Sequence, residues 1–324
     1  MRVRIALMSF APAFFGIAVG PLAAQQWPVK PVRIIVPYQP GGVSDLAARF
    51  IAPKLSDSMG QQVIVENRPG GSGTIGVGAV VKSAPDGYTL VAATSGDFTI
   101  SQHLVKDIAY DPLVDLAPVS SLTGTPSMIA VTATSAYKVI GDVLADARKQ
   151  PGKLSYSHAG VGTVTHIFME WVATATGTTF SHVPYKGGAP AAAAVAAGDV
   201  QVGALAVQSA MPHIKSGKIR MIANTAAERS PIIPDVPTLR EGGVPEVDGT
   251  SYTAMFAPKG TPPAIIDKLN AEVAKALLVD DVKEKLLAGA SMPVLMKPAE
   301  LLARMQRESA VFKAIIVKGK ITAE

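Results

Sequence analysis

The amino-acid sequence predicts an α/β protein of two lobes. Three observations carry that prediction. Short β-branched runs alternate with helical patterns along the chain, the alternation restarts after a Pro-, Thr- and Ser-rich stretch at 118–126, and the length suffices for two lobes.

The first residues set the compartment. Met1-Arg2-Val3-Arg4 is a short basic head, residues 5–19 are uncharged, and Gly20-Pro21-Leu22-Ala23-Ala24 ends the run with small residues. That three-part pattern reads as a secretory signal peptide over 1–24, with cleavage expected after Ala24 and a periplasmic destination. The uncharged run is shorter than the roughly 20 apolar residues that cross a bilayer. Its removal leaves 300 of the 324 residues, with a net charge of +3 from 28 Lys and Arg against 25 Asp and Glu. So small and dispersed an excess argues neither for a nucleic-acid partner nor for an anionic membrane surface. With no cysteine in the chain, thiol catalysis, thiolate metal sites and disulfides are excluded as well.

Each element then follows in order. The run 32–36 reads as a buried strand, and 44–58 as a helix with Leu46, Phe50 and Leu55 on one side and Ser44 or Asp45 as its N-cap. A strand at 63–65, a helix at 74–82 and a strand at 88–92 repeat the unit, which predicts a mostly parallel sheet. Beyond the passage at 118–126 come strands at 127–131, 154–157, 180–183, 200–205 and 219–224. Helices at 139–150, 163–176 and 189–197 are interleaved with them. A strand at 252–257 brings the chain back, and helices at 262–278, 281–288 and 298–317 are expected to pack on the first lobe. The expected division is 25–124 plus 249–324 for one domain and 125–248 for the other.

Ligands of open α/β sheets lie beyond the carboxyl ends of strands, where loops enter helix N-termini and free N–H groups point outward. Two loops fit. One is Tyr38-Gln39-Pro40-Gly41-Gly42-Val43-Ser44-Asp45; the other is Ser157-His158-Ala159-Gly160-Val161-Gly162-Thr163. Glycines in such loops let backbone approach an anion; one such loop alone reads first as a turn that caps its helix, and two equivalent loops in two lobes shift the reading toward a clamp. Gly71-Ser72-Gly73-Thr74-Ile75-Gly76 matches the dinucleotide fingerprint G-x-G-x-x-G. It follows the second strand, however, and the next strand ends in Ala93-Thr94-Ser95 with no acid for a ribose. Close packing of helix on sheet is the reading kept, and no cofactor is expected. The five histidines, His103, His158, His166, His182 and His213, show no local metal-ligand spacing.

Longer motifs resemble a known family. Trp27-Pro28, Arg33 to Tyr38, Pro40-Gly41-Gly42, Val65-Glu66-Asn67-Arg68-Pro69-Gly70 and Pro85-Asp86-Gly87-Tyr88-Thr89-Leu90 are similar to those of the Bug receptors, the extracytoplasmic binding proteins of tripartite tricarboxylate transporters. Tyr110-Asp111-Pro112, His182-Val183-Pro184-Tyr185-Lys186-Gly187, Pro234-Asp235-Val236-Pro237-Thr238 and Pro258-Lys259-Gly260-Thr261-Pro262-Pro263 continue the resemblance in order. The resemblance implies a type II periplasmic-binding-protein, or Venus flytrap, fold: two α/β domains with a carboxylate in the cleft, gripped by backbone N–H groups and ordered water.

By that resemblance Tyr38, Gly41, Gly42 and Asp45 contact the ligand from the first lobe, and Ser157, Gly160, Gly162 and Thr163 from the second. Ser95 and Tyr185 are further pocket candidates, and Asp45 has the competing role of helix cap. Gln201, Ser101-Gln102, Tyr252 and Ala254 depart from the family pattern, so a di- or tricarboxylate, an amino acid and an aromatic carboxylate all stay open. The implied partner is a membrane permease or a sensor kinase, with the receptor itself a monomer. The alternative is a secreted serine hydrolase using Ser157 or Ser95 with His158.

Overall fold

Residues 32–36 fold as the strand the sequence predicts, with Val32, Ile34 and Val36 wholly buried and Arg33 turned out. The computed structural model describes residues 27–244 and 247–322, so the leader expected at 1–24 lies outside the described residues. From β1 (Val32–Val36) the chain passes through α1 (Val43–Met59), β2 (Val63–Asn67), α2 (Thr74–Val81) and β3 (Thr89–Thr94). The short helices α3 (Ser95–Thr99), α4 (Ser101–Leu104) and α5 (Pro112–Asp115) lead to β4 (Leu116–Thr125), the last strand before the second sheet.

That sheet begins at β5 (Ser127–Thr132). It continues with α6 (Ile140–Lys149), β6 (Ser155–His158), α7 (Val164–Thr176), β7 (Ser181–Pro184), α8 (Gly188–Ala197), β8 (Val202–Ala206), α9 (Val207–Lys215) and β9 (Ile219–Asn224). The return strand β10 (Ser251–Pro258) rejoins the first sheet, followed by α10 (Pro263–Leu277), α11 (Asp280–Ala288), β11 (Met292–Pro293) and α12 (Pro298–Gly319).

The first sheet has the order β11-β4-β10-β3-β1-β2 and the second β7-β6-β8-β5-β9. Neither is the mostly parallel sheet expected from alternation alone. β1 is parallel to β2 and β3, and β6 to β7 and β8, but β10 is antiparallel to β3 and β4. β5 is likewise antiparallel to β8 and β9. The reversed strands are those adjoining the passages between the sheets, which enter against the local βα progression.

The Pro-rich passage at 118–126 is mostly strand. Pro118 is accommodated in β4 beside a register shift against β10, where a missing ladder donor is tolerated. Two of its buried hydroxyls find distant partners: Ser121 Oγ donates to the Val294 carbonyl at 2.7 Å, and Thr125 Oγ1 lies 2.9 Å from Ser291 Oγ.

Helices cover both faces of each sheet. On the first, α1 buries Ile51 and Leu55 with α10 residues Leu269 and Val273, each such side chain contributing roughly 1.5–3 kcal/mol. The other face packs α2 and the front of α12, through Leu301 and Met305. On the second sheet, α6 and α7 cover one face and α8 and α9 the other.

The C-terminal helix, expected on the first lobe alone, lies across both lobes. Its rear residues Phe312, Ile315 and Ile316 form an apolar cluster with Ile167 of α7 and Ile100 of the first lobe, and the Phe312 and Trp171 rings meet edge-on at 6.1 Å. Midway along it, Arg304 donates to Glu308 at 2.7 Å and to Asp248 at 3.2 Å, while Tyr252 Oη on the return strand donates to Glu308 at 2.9 Å.

Gly76 shows what the glycine-rich stretch at 71–76 does. A side chain there would meet Pro37 and the Arg68 carbonyl oxygen within 2.8 Å, so glycine permits α2 to seat against the end of β1. That is helix-on-sheet packing.

Candidate ligand site between the lobes

The first loop leaves β1 and enters α1 through Gly42, an extended N-cap without a side-chain cap. Among the described residues the amides of Gly42, Val43 and Ser44 have no hydrogen-bond partner, and Ser44 Oγ is buried and unpartnered. A 17-residue helix thus presents its positive end uncapped.

Asp45 fixes this loop from inside the helix. Its buried carboxylate accepts the Gly41 N–H at 2.9 Å, both Arg49 Nε contacts at 3.0 Å and Asn67 Nδ2 at 2.8 Å. Asn67 also donates to the Tyr38 carbonyl at 3.0 Å. Burial pushes the Asp45 carboxyl upward, but the hydrogen bonds from Arg49, Gly41 and Asn67 outweigh it, and the group is held below its ordinary range. Gly41 takes a left-handed φ of +92°, which the tight turn requires.

Tyr38 joins this loop to α3. Its phenol donates to Asp97 Oδ1 at 2.5 Å, and Asp97 Oδ2 accepts Thr94 N–H at 2.9 Å and its hydroxyl at 2.7 Å. Burial pushes Asp97 up to about 6 despite those donors. Next to it Ser95, also buried, receives the Tyr252 amide at a long 3.5 Å.

The second loop joins β6 to α7, whose N-cap is Thr163. Thr163 Oγ1 donates to the Gly160 carbonyl at 2.7 Å and receives the His166 amide at 3.4 Å. Side chains engage this loop within the lobe: Ala159 N–H donates to Thr165 Oγ1 at 3.2 Å, Gly162 N–H to His166 Nδ1 at 3.1 Å, and His158 Nδ1 donates to the Gly160 carbonyl at 2.9 Å. The amides of Val161, Val164 and Thr165 have no partner among the described residues. Gly160, at φ +137°, runs beside the Tyr185 carbonyl, and Tyr185 N–H donates to the His158 carbonyl at 3.0 Å, so Tyr185 lies alongside this loop.

The two loops meet the same part of the first lobe. A side chain at Gly162 would strike Leu104 Cδ1 at 2.4 Å, and one at Gly96 would lie 3.3 Å from Val164. The second loop therefore abuts α3 and α4, which Tyr38 ties to the first loop. On the other flank Val43 and Leu46 of α1 share a cavity of about 90 Å³ with Gln208 of α9.

Ser157 is placed differently from its neighbours. It is wholly buried, and its hydroxyl donates to the Ala191 carbonyl at 3.0 Å. With that proton directed away from His158, and Ser95 accepting from backbone, neither serine is paired with a histidine base. The serine-hydrolase alternative finds no support in this geometry.

Reading the sequence missed Asp97, Asn67 and the buried hydroxyls of Thr123 and Thr253, which face each other in the β4–β10 pairing without hydrogen-bond partners. Thr94-x-x-Asp97 is a capping-box spacing and signals the start of α3.

Comparison with known proteins agrees with this arrangement. The family model described as tripartite tricarboxylate transporter family receptor matches residues 47–321. Protein BugT of Bordetella pertussis is 35% identical over 299 residues, which cover 92% of this chain and 91% of BugT. The solved structure of R. palustris Rpa4515 with adipate is 32% identical at a TM-score of 0.76, covering 91% of this chain and 99% of that one. MatC (Rpa3494) from Rhodopseudomonas palustris with bound malate is 30% identical at a TM-score of 0.71, covering 90% and 100%. Two helix-flanked sheets, loops that converge from both, and these matches over nearly the whole length establish that the chain belongs to the tripartite tricarboxylate transporter receptors, periplasmic solute-binding proteins of the two-domain flytrap fold rather than enzymes.

Proposed function

We propose that this receptor captures a small carboxylate between its lobes and delivers it to the membrane permease of a tripartite tricarboxylate transporter. The observation that carries the reading is the uncapped N-terminus of α1, where Gly42, Val43 and Ser44 offer unpaired amides beside the buried Ser44 hydroxyl. Such a terminus favours an anion by geometry and dipole together. Val161, Val164 and Thr165 offer amides from the other lobe.

In this reading Tyr38, Gly41, Gly42, Ser95, Gly160, Gly162, Thr163 and Tyr185 line the cleft. Asp45 and Ser157 support it from behind, because their polar atoms are engaged with the chain itself. The moving bodies are 25–124 plus 249–324 and 125–248, the receptor acts as a monomer, and the leader 1–24 is removed on export. Adipate and malate, bound by the two relatives of known structure, are the first ligands to test.

Ligand-free protein should rise in melting temperature with one of a panel of dicarboxylates, tricarboxylates, amino acids and aromatic carboxylates, by mass action. Substituting Gly41 or Gly160 with valine should weaken that response more than substituting the exposed Lys82. Silence across the panel would remove the proposal.

A further inference from the structure

Behind the second-lobe loop the fold assembles three histidines from separate elements. The β6–β7 register sets His182 opposite Tyr156, so it shares a sheet face with His158, and the first turn of α7 lays His166 over that face. The His158 and His166 rings stack at 4.3 Å between centroids, and His182 lies 5.4 Å and 5.0 Å from them, so the His166 ring has to turn out of the stack for its lone pair and that of His158 to reach one ion. One ring nitrogen from each falls within 4.8 Å of the others. His158 Nε2 and His182 Nδ1 are already 3.3 Å apart, which equals the separation of about 3.3 Å between nitrogens bound tetrahedrally to zinc at roughly 2.0–2.1 Å.

We propose that His158, His166 and His182 bind one divalent transition-metal ion of the imidazole-favouring class, zinc, nickel or copper. An all-imidazole set without carboxylates selects such ions over magnesium or calcium. Both His158 and His166 are buried, which favours the neutral form a ligand requires. His182 is exposed and closes the set from the solvent side, leaving a fourth position for water.

The site is wired to the loop in front of it. His158 Nδ1 lies 2.9 Å from the Gly160 carbonyl oxygen and donates its ring proton there, so the Nε2 lone pair is already free for a metal and ligation through it needs no change of tautomer. His166 Nδ1 accepts the Gly162 N–H. Whether Nδ1 binds the metal directly or takes the ring proton so that Nε2 can bind, the Gly162 N–H is released. No net proton is gained or lost in that shift. Metal occupancy therefore turns one engaged amide into a free donor. Only this coupling, and not the metal site, rests on the reading of the loop as a carboxylate cradle.

The test is calorimetric titration of the full mature protein, free of affinity tag and stripped with chelator, with zinc chloride or nickel chloride alone. One ion per chain is expected, with a rise in melting temperature. His182→Ala, at an exposed position that leaves the fold intact, should weaken binding by about tenfold or more, while His213→Ala should leave it unchanged. Cobalt substitution should give the absorption of a tetrahedral imidazole site, and the Gly162 amide resonance should shift with metal. Absence of stoichiometric binding, or equal binding by His182→Ala and wild type, overturns the site. An unmoved Gly162 resonance in a metal-loaded protein overturns the coupling, independently of whether any carboxylate is bound.

Discussion

Tyr38 and Asp97, 59 positions apart in sequence, are joined by a 2.5 Å hydrogen bond that locks the loop after β1 to the helix after β3. Besides the two bonds from Thr94, the phenol is the donor that reaches this buried carboxylate from across the fold, and its own ionisation is pushed well above the ordinary range by burial and then by the Asp97 charge. Both segments border the cleft, so the bond holds its first-lobe wall as one piece.

Tyr38→Phe should therefore destabilise the protein by about 1–3 kcal/mol at neutral pH, the penalty of leaving a buried acceptor short of a donor. Urea midpoints measured at pH 5 and pH 8 provide the check. The loss should be smaller at pH 5, where more of Asp97 is protonated; an equal loss at both would contradict the bond as drawn.

The Asp97 carboxyl also sets a pH dependence of definite sign. Its folded value, about 6, lies above the ordinary 3.8, so the folded state holds the proton more tightly. Its contribution to stability is fully present below pH 4 and is lost as pH rises through 6, a change of about 3 kcal/mol from a shift of this size. Asp97→Asn should flatten the stability profile between pH 4 and pH 6, whatever its effect on absolute stability. A profile still falling in that window would refute the assignment.

Asp45 works in the opposite sense. Its carboxyl is held below its ordinary value, so its stabilisation is present above pH 4 and lost as pH falls through the folded value. Asp45→Ala removes an acceptor from Gly41, Arg49 and Asn67 together and should cost about 2–3 kcal/mol, the scale of hydrogen bonds to a charged group. Chemical denaturation at pH 7 measures it, and faster hydrogen exchange at Gly41 should accompany the loss.

Phe312→Ala should cost about 3–5 kcal/mol, as large-to-small changes at buried aromatic sites do. Because Phe312 bridges α12 to Trp171 of α7, small-angle scattering should also show a larger mean radius for the ligand-free variant. An unchanged radius with the expected stability loss would mean the contact packs the fold without restraining the lobes.

Much of the architecture was legible because local pattern and final burial agree. β1 and β9 begin and end where the β-branched runs at 32–36 and 219–224 do, and α7 follows its Thr163 cap. The crossing strand β4 was hidden, since Ser120, Ser121 and Thr123 are buried although a stretch rich in Ser, Thr and Gly reads as loop. Ser121 and Thr125 gain their partners from residues more than 160 positions away, which no local window contains. The site divides the same way. Glycine loops at strand ends marked where a ligand would sit, but the engagement of the Gly160 carbonyl and the Gly162 amide depends on imidazoles placed by β6 and α7. Likewise the three-histidine cluster arises from strand pairing and not from spacing along the chain.

The path of α12 has a mechanical corollary. An apolar spine of Phe312, Ile315 and Ile316 binds one margin of the two lobes, whereas Val43 and Leu46 of α1 share a small cavity with Gln208 of α9. The lobes are bound like the covers of a book along that spine.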